Sequence, residues 1–172
     1  MPAQSLGVAP AQRVSAYAVV DRVAGRNLAL AARQGDRVVH ATLHVEPGAY
    51  LTVLLQPAAG GLAVVPVVDQ AEFNQARARL AFYNATGSCS AGSLALEPKG
   101  VSVFSDVAPG ASKMRNVNPV EAQLQASCAG QTAPDLSVAG MAVGSSYSIW
   151  LMLPDGHPVV FMTRDMTLPY KP

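Results

Sequence analysis

The chain has 172 residues, of which 13% are charged and 50% are hydrophobic, and its formal net charge is +1. It contains no run of Lys or Arg, so it lacks the clustered cations that a nucleic-acid surface needs. The apolar fraction is too high for a disordered chain, and 14 glycines and 13 prolines are spread along the sequence. This composition predicts an all-β protein of short strands separated by turns.

The first part of the chain contains five predicted strands. Residues 14–20 and 27–32 are rich in valine, alanine and leucine, and residues 38–45 alternate between apolar and polar side chains. Residues 47–68 carry no charge and are long enough to cross a membrane as a helix. Three prolines and the Gly60-Gly61 pair would break such a helix, so we predict a β-hairpin there.

The second part begins after a polar stretch, residues 69–78, that is typical of a linker. Strands are predicted at residues 79–84, 93–97, 101–104 and 120–127, the last with a regular apolar and polar alternation. Asp155-Gly156 is typical of a hairpin turn. We therefore predict a first β-sandwich domain at residues 1–69, a linker at 70–78 and a second β-sandwich domain at 79–172.

One segment occurs twice, at residues 48–57 and 145–154. Each copy has a small residue and a tyrosine, then an apolar run, then a proline, and Tyr50 and Tyr147 are 97 residues apart (147 − 50). Flanking matches give similar offsets of 99 upstream (107 − 8, at Val-Ala-Pro) and 96 downstream (165 − 69, at Asp). We interpret the two copies as the central strands of tandem sandwich domains, buried on both faces.

The same alignment leaves the first unit shorter than the second at its N-terminal end. We expect the first domain to be incomplete there, with an upstream strand resembling residues 80–84 and an export signal in the natural protein. The alternative is a first domain that is naturally minimal and is completed by a partner's strand.

The sequence offers few candidates for chemistry. His40 and His44 would lie about 13 Å apart on a strand, too far to share a metal ion. Ser88 and Ser90 have no histidine near them in sequence, so we predict no catalytic, cofactor-binding or metal-binding residue. The two cysteines, Cys89 and Cys128, are either a disulfide in an oxidising compartment or two buried thiols.

The repeat, residues 50–57, residues 80–84, and Val107-Ala108-Pro109 leading to residues 117–120 together resemble the AlgF family. Its members are accessory proteins of alginate O-acetylation in Gram-negative bacteria, with relatives that serve other exopolysaccharides such as cellulose. The resemblance runs from about Leu6 to Asp165. The sequence departs from the family in two respects: no signal peptide begins the chain, and the first unit of the repeat starts late.

The resemblance implies a periplasmic protein of two tandem β-sandwich domains that has no catalytic residue and takes part in biofilm polymer synthesis. It would link a membrane acyltransferase to periplasmic O-acetyltransferases by protein–protein interaction, without a cofactor. It also favours the Cys89–Cys128 disulfide. The alternatives are a carbohydrate-binding module that holds the polysaccharide, or an acetyltransferase. Trp150 lies inside the most apolar strand, which favours the adaptor over a sugar-stacking module.

Overall fold

The computed structural model describes residues 5–8 and 13–170, and the described part is all-β, as predicted. Its elements are 13 strands and one short 3-10 turn at Pro154–Gly156. The strands are β1 Arg26–Gln34, β2 Arg37–Val45, β3 Tyr50–Ala58, β4 Gly61–Asp69, β5 Ala78–Asn84, β6 Gly92–Glu97, β7 Val101–Val107, β8 Ser112–Val117, β9 Ala122–Cys128, β10 Gln131–Thr132, β11 Leu136–Val138, β12 Ser146–Met152 and β13 Val159–Arg164.

Strands β5 to β13 form two sheets that pack face to face as a β-sandwich. One sheet has the order β10-β9-β6-β7, with β11 also paired to β9, and the other has the order β13-β12-β5-β8. Only the β12–β5 pair is parallel. The shared core includes Phe82 and Ile149 from one sheet and Leu94 and Leu124 from the other, and all four side chains are buried.

The four-stranded sheet is covered on its outer face as well. Tyr83 on β5 and Trp150 on β12 point away from the sandwich core and pack with Leu54 and Val67 of the β3–β4 hairpin. Strands β5 and β12 are therefore buried on both faces. The prediction of a central, doubly buried strand is confirmed for the second copy of the repeat.

The first copy of the repeat behaves differently, and the prediction that it is doubly buried is wrong. Strand β3 forms an antiparallel hairpin with β4, from Tyr50↔Asp69 to Ala58↔Gly61, and has no other strand partner among the described residues. Only its alternate residues are buried, and Leu55 on the other face is 43% exposed. An apolar run suits a central strand, but the run alone does not supply the second neighbour that burial requires.

Strands β1 and β2 form a second hairpin, and β2 lies beside β4. The strand predicted at residues 14–20 is reduced to a single parallel bridge between Tyr17 and Thr167. Strand β8, which carries two cations on a sheet edge, was not predicted. Ala9 and Pro10, which belong to the upstream repeat match, lie outside the described residues. The division into domains at 1–69 and 79–172 stays a prediction, although no strand or helix lies between Asp69 and Ala78.

A disulfide joins Cys89, in the loop after β5, to Cys128, at the end of β9, with Cα atoms 5.6 Å apart. Both cysteines are buried. Since β5 and β9 belong to different sheets, the bridge ties the loop of one sheet to a strand of the other.

Replacing Cys89 and Cys128 together by alanine is expected to lower the free energy of unfolding by at most about 4 kcal/mol. The bridge closes a 39-residue loop, and cross-linking a loop of that length removes conformational entropy from the unfolded chain. Urea unfolding of the double variant and the wild type measures the difference. Thiol counting in denatured, non-reduced protein from its native host checks the bridge itself, and two free thiols would contradict it.

Replacing Trp150 by alanine is expected to cost about 3–5 kcal/mol, because it leaves a large cavity between the hairpin and the sheet. The indole stacks on Tyr83 with ring centroids 4.4 Å apart, and its Nε1–H donates to Thr163 Oγ1 at 2.9 Å. Trp150→Phe is the control, since it keeps a ring and should cost less. A Trp150→Ala protein of unchanged stability that had lost only sugar binding would instead favour the carbohydrate-binding module.

Candidate functional site

A cluster of hydroxyls and carboxylates lies where the β3–β4 hairpin meets the four-stranded sheet. The carboxylate of Asp69, at the end of β4, accepts hydrogen bonds from Thr52 Oγ1 at 2.6 Å and from the Tyr83 hydroxyl. Tyr17 places its hydroxyl 2.8 Å from Thr52 Oγ1. Because Thr52 gives its single proton to Asp69, Tyr17 is the donor in that contact.

A second carboxylate, Asp165, follows β13 in the same region. It accepts a hydrogen bond from Ser148 Oγ at 2.7 Å, and Arg79 Nη1 lies 3.8 Å from its Oδ2 atom. Arg79 also donates to the backbone oxygen of Gln70 at 3.0 Å and is 7% exposed. The guanidinium therefore holds the end of β13 and the chain that follows β4 against the same face of the sheet.

The two hairpins make the same hydroxyl–carboxylate contact. In each, the hydroxyl lies 17 residues before its acceptor, Thr52 before Asp69 and Ser148 before Asp165. The two pairs are related by the repeat offset of 96 (148 − 52 and 165 − 69). The sequence analysis matched the aspartates but missed the hydroxyls, because aligning the tyrosines at 97 places Thr52 opposite Ile149. The shared spacing of 17 residues was the signal that could have found them.

Burial sets the protonation of this cluster. Burial raises the pKa of the Tyr17 and Tyr83 hydroxyls, so both remain hydrogen-bond donors at neutral pH. Burial also raises the pKa of Asp165, against the smaller opposing effects of the Ser148 hydrogen bond and the Arg79 charge. A cluster of this kind, with its hydroxyl protons directed at carboxylates, fastens the hairpin to the sheet.

The residues weighed for chemistry lie apart from this cluster. His40 and His44 lie on strand β2, as predicted, and His44 Nδ1 is 3.1 Å from Asn27 Oδ1. Ser88 and Ser90 are exposed in the loop after β5. No group of three or more His, Cys, Asp or Glu side chains that could hold a metal ion occurs in residues 5–8 and 13–170.

The outer face of the β3–β4 hairpin is apolar, and three of its six residues, Leu55, Pro66 and Val68, are exposed. The residues that alternate with the buried ones are Leu51, Val53, Leu55, Val64, Pro66 and Val68. Val68 is 70% exposed. Near the start of β3, Tyr50 and Phe73 form an edge-to-face pair, with ring centroids 5.6 Å apart and exposures of 51% and 61%.

The β1–β2 and β3–β4 hairpins are both nine residues long on each strand, and among the described residues each strand pairs only with its hairpin partner. An unpaired strand presents a row of backbone donors and acceptors to another chain. The hairpins therefore combine exposed apolar side chains with open strand edges.

No protein-family model and no curated protein matches this chain. Within the described residues, no helix has the length and apolar character needed to cross a membrane.

The stability of wild type and Asp165→Asn is expected to respond differently to pH. A folded-state pKa raised above the ordinary 3.8 means that the protonated carboxyl favours the fold. That contribution is fully present below about pH 3.8 and is lost as the pH rises through the raised pKa. In thermal unfolding between about pH 3 and 7, the Tm of wild type should fall relative to that of Asp165→Asn as the pH rises. Exposed Asp155→Asn is the control, and a constant difference for Asp165→Asn would contradict the prediction.

Proposed function

We propose that this protein is a non-catalytic periplasmic adaptor in exopolysaccharide O-acetylation. It binds a membrane acyltransferase on one side and periplasmic O-acetyltransferases on the other, and alginate or acetylated cellulose is the polymer class. The proposal starts from the resemblance to the AlgF family, which supplies the pathway and the compartment. A disulfide in a chain of this size is also in keeping with an oxidising compartment.

The observation that carries the proposal is the surface of the two hairpins. Strands β1 to β4 expose apolar side chains on the outer face of β3–β4 and leave strand edges unpaired within the described residues. Both features suit protein partners, because exposed apolar patches mark interaction sites and an open edge accepts an added strand. The β3–β4 hairpin packs on the outer face of the disulfide-linked sandwich, which supports it.

A carbohydrate-binding module is the second candidate, favoured by one observation. Tyr50 and Phe73 are the exposed aromatic residues in contact with each other, and exposed rings bind sugar faces. Their planes meet at 63°, so they do not form the flat platform on which a pyranose ring stacks. Trp150, the residue with the largest stacking surface, is 3% exposed. The adaptor is therefore the better supported of the two.

The adaptor predicts that tagged protein from the periplasm of its native host captures an O-acetyltransferase and a membrane acyltransferase. Pairwise binding of the purified proteins should reproduce the capture. The Leu55→Lys/Val68→Lys variant places two charges on the outer face of the hairpin and should weaken binding about tenfold or more without changing the Tm. Val143→Lys, a charge at another exposed apolar position, is the matched control.

Each alternative function predicts a different experimental outcome. Polymer binding that is lost in Tyr50→Ala/Phe73→Ala, with no acetylation protein captured, would overturn the adaptor in favour of the carbohydrate module. Turnover of an acetyl ester that disappears on mutating Ser88 or Ser90 would identify an acetyltransferase instead. Unchanged binding of the acetylation proteins by Leu55→Lys/Val68→Lys would move the contact away from the hairpin.

A further inference from the structure

Strands β3 and β12 make the same hydroxyl–carboxylate contact, but their second edges differ. Strand β12 pairs in parallel with β5, from Ser146↔Arg79 to Leu151↔Asn84. Strand β3 has β4 as its one strand partner within residues 5–8 and 13–170. The edge of β3 that corresponds to the β5-binding edge of β12 is therefore open.

Residues 13–17 match the first part of β5 in residue type. They read Arg-Val-Ser-Ala-Tyr, and residues 79–83 read Arg-Leu-Ala-Phe-Tyr, at a separation of 66 (79 − 13). Residues 79–83 form a strand, whereas residues 13–17 form only the bridge at Tyr17. There the Tyr17 N–H donates to Met166 O at 2.7 Å, and Leu168 N–H donates to Tyr17 O at 2.8 Å.

The side chains of residues 13–17 already reach β3. Tyr17 donates to Thr52, which donates to Asp69, and its counterpart Tyr83 donates to Asp69 directly. Val14 packs against the cluster that contains Leu54. Tyr17 thus contacts β3 through its side chain, whereas the Arg13 guanidinium lies 5.7 Å from the Phe161 ring centre on β13. The backbone hydrogen bonds of Tyr17 are to the segment that follows β13.

We propose that the free edge of β3 is the docking site for residues 13–17 of the same chain, which pair with it in parallel. The register is that of β5 on β12, transferred at the offset of 96 that relates Ser148 to Thr52. Moving there exchanges the two backbone hydrogen bonds with Met166 and Leu168 for about four along β3. The paired residues are Val14↔Leu51, Ser15↔Thr52, Ala16↔Val53 and Tyr17↔Leu54.

The edge of β13 has no strand partner among the described residues, whether or not residues 13–17 move. A groove of about 580 Å³ already separates residues 13–16 from β13. Asp165 N–H donates to Ser146 O, so by alternation the backbone groups of Val160, Met162 and Arg164 point away from β12 and into this edge. Residues 13–17 act as a strap that lies beside β13 in the structure and that closes the edge of β3 when it docks there. The docking site is a property of the chain alone and does not depend on the proposed partners.

Two engineered cysteine pairs test the two positions of the strap. Ala16→Cys/Val53→Cys joins the strap to β3 in the proposed register, and Ala16→Cys/Met166→Cys joins it to the segment after β13. Neighbours on adjacent strands lie about 5 Å apart, within the range that a disulfide spans. The native cysteines are already bonded to each other and do not compete. Ala16→Cys/Val68→Cys, one strand further away, is the matched control.

Mild oxidation followed by intact mass and peptide mapping should find both test pairs closed within one chain and the control open. Val14→Cys/Leu51→Cys repeats the test on β3 if the first variant does not fold. Closure of the Met166 pair alone, closure of no pair, equal closure of the control, or a cross-linked dimer would each overturn the proposal.

Discussion

The packing of the β3–β4 hairpin on the sandwich depends on the hydrogen bonds that the Asp69 carboxylate accepts. This carboxylate accepts hydrogen bonds from Thr52 on its own hairpin and from Tyr83 on the sheet, so one partly buried group is satisfied from both sides of the contact. Removing either donor would leave a partly buried carboxylate short of a partner, which costs more than the loss of a surface hydrogen bond. The apolar packing of Leu54 and Val67 on Tyr83 and Trp150 brings the hairpin and the sheet together, and Asp69 joins them by hydrogen bonds.

The cluster also links otherwise independent sheets. Tyr17 comes from the N-terminal segment, Thr52 and Asp69 from the first half of the chain, and Tyr83 from the sandwich. Replacing any of these hydroxyls would therefore disturb contacts in three parts of the chain. The effects of single substitutions there on the free energy of unfolding should not be additive.

Local sequence predicted the local structure well, and pairing much less so. The alternation in residues 38–45 and the apolar run in 80–84 identified β2 and β5, because side-chain period depends on near neighbours alone. The parallel pairing of β5 with β12 joins residues more than sixty positions apart, and no local pattern encodes it. For that reason β3 and β12, with nearly the same run, could not be distinguished as a hairpin strand and a central strand. The candidate site was predicted only in part. The repeat matched Asp69 with Asp165, but the alignment on the tyrosines was one residue out of register for Thr52 and Ser148, which donate to these aspartates.

Asn84 illustrates how position decides what a short pattern means. Asn84-Ala85-Thr86 has the form of a glycosylation site, yet Asn84 is fully buried and its Nδ2 donates to the backbone oxygens of Cys89 and Val107. Thr86 Oγ1 in turn donates to Asn84 Oδ1 and accepts from the Cys89 N–H. This network encloses the loop that carries the disulfide.

The disulfide stabilises one part of the molecule and not the other. It reinforces the sandwich alone, whereas the hairpins join the sandwich through non-covalent contacts and the chain between Asp69 and Ala78. Backbone amides of β1 to β4 should thus exchange with solvent through a local opening that leaves β5 and β12 protected. The protein would then unfold in two cooperative units. The hairpins β1 to β4 would open first, and substitutions in them would change the free energy of that opening without changing the stability of the sandwich.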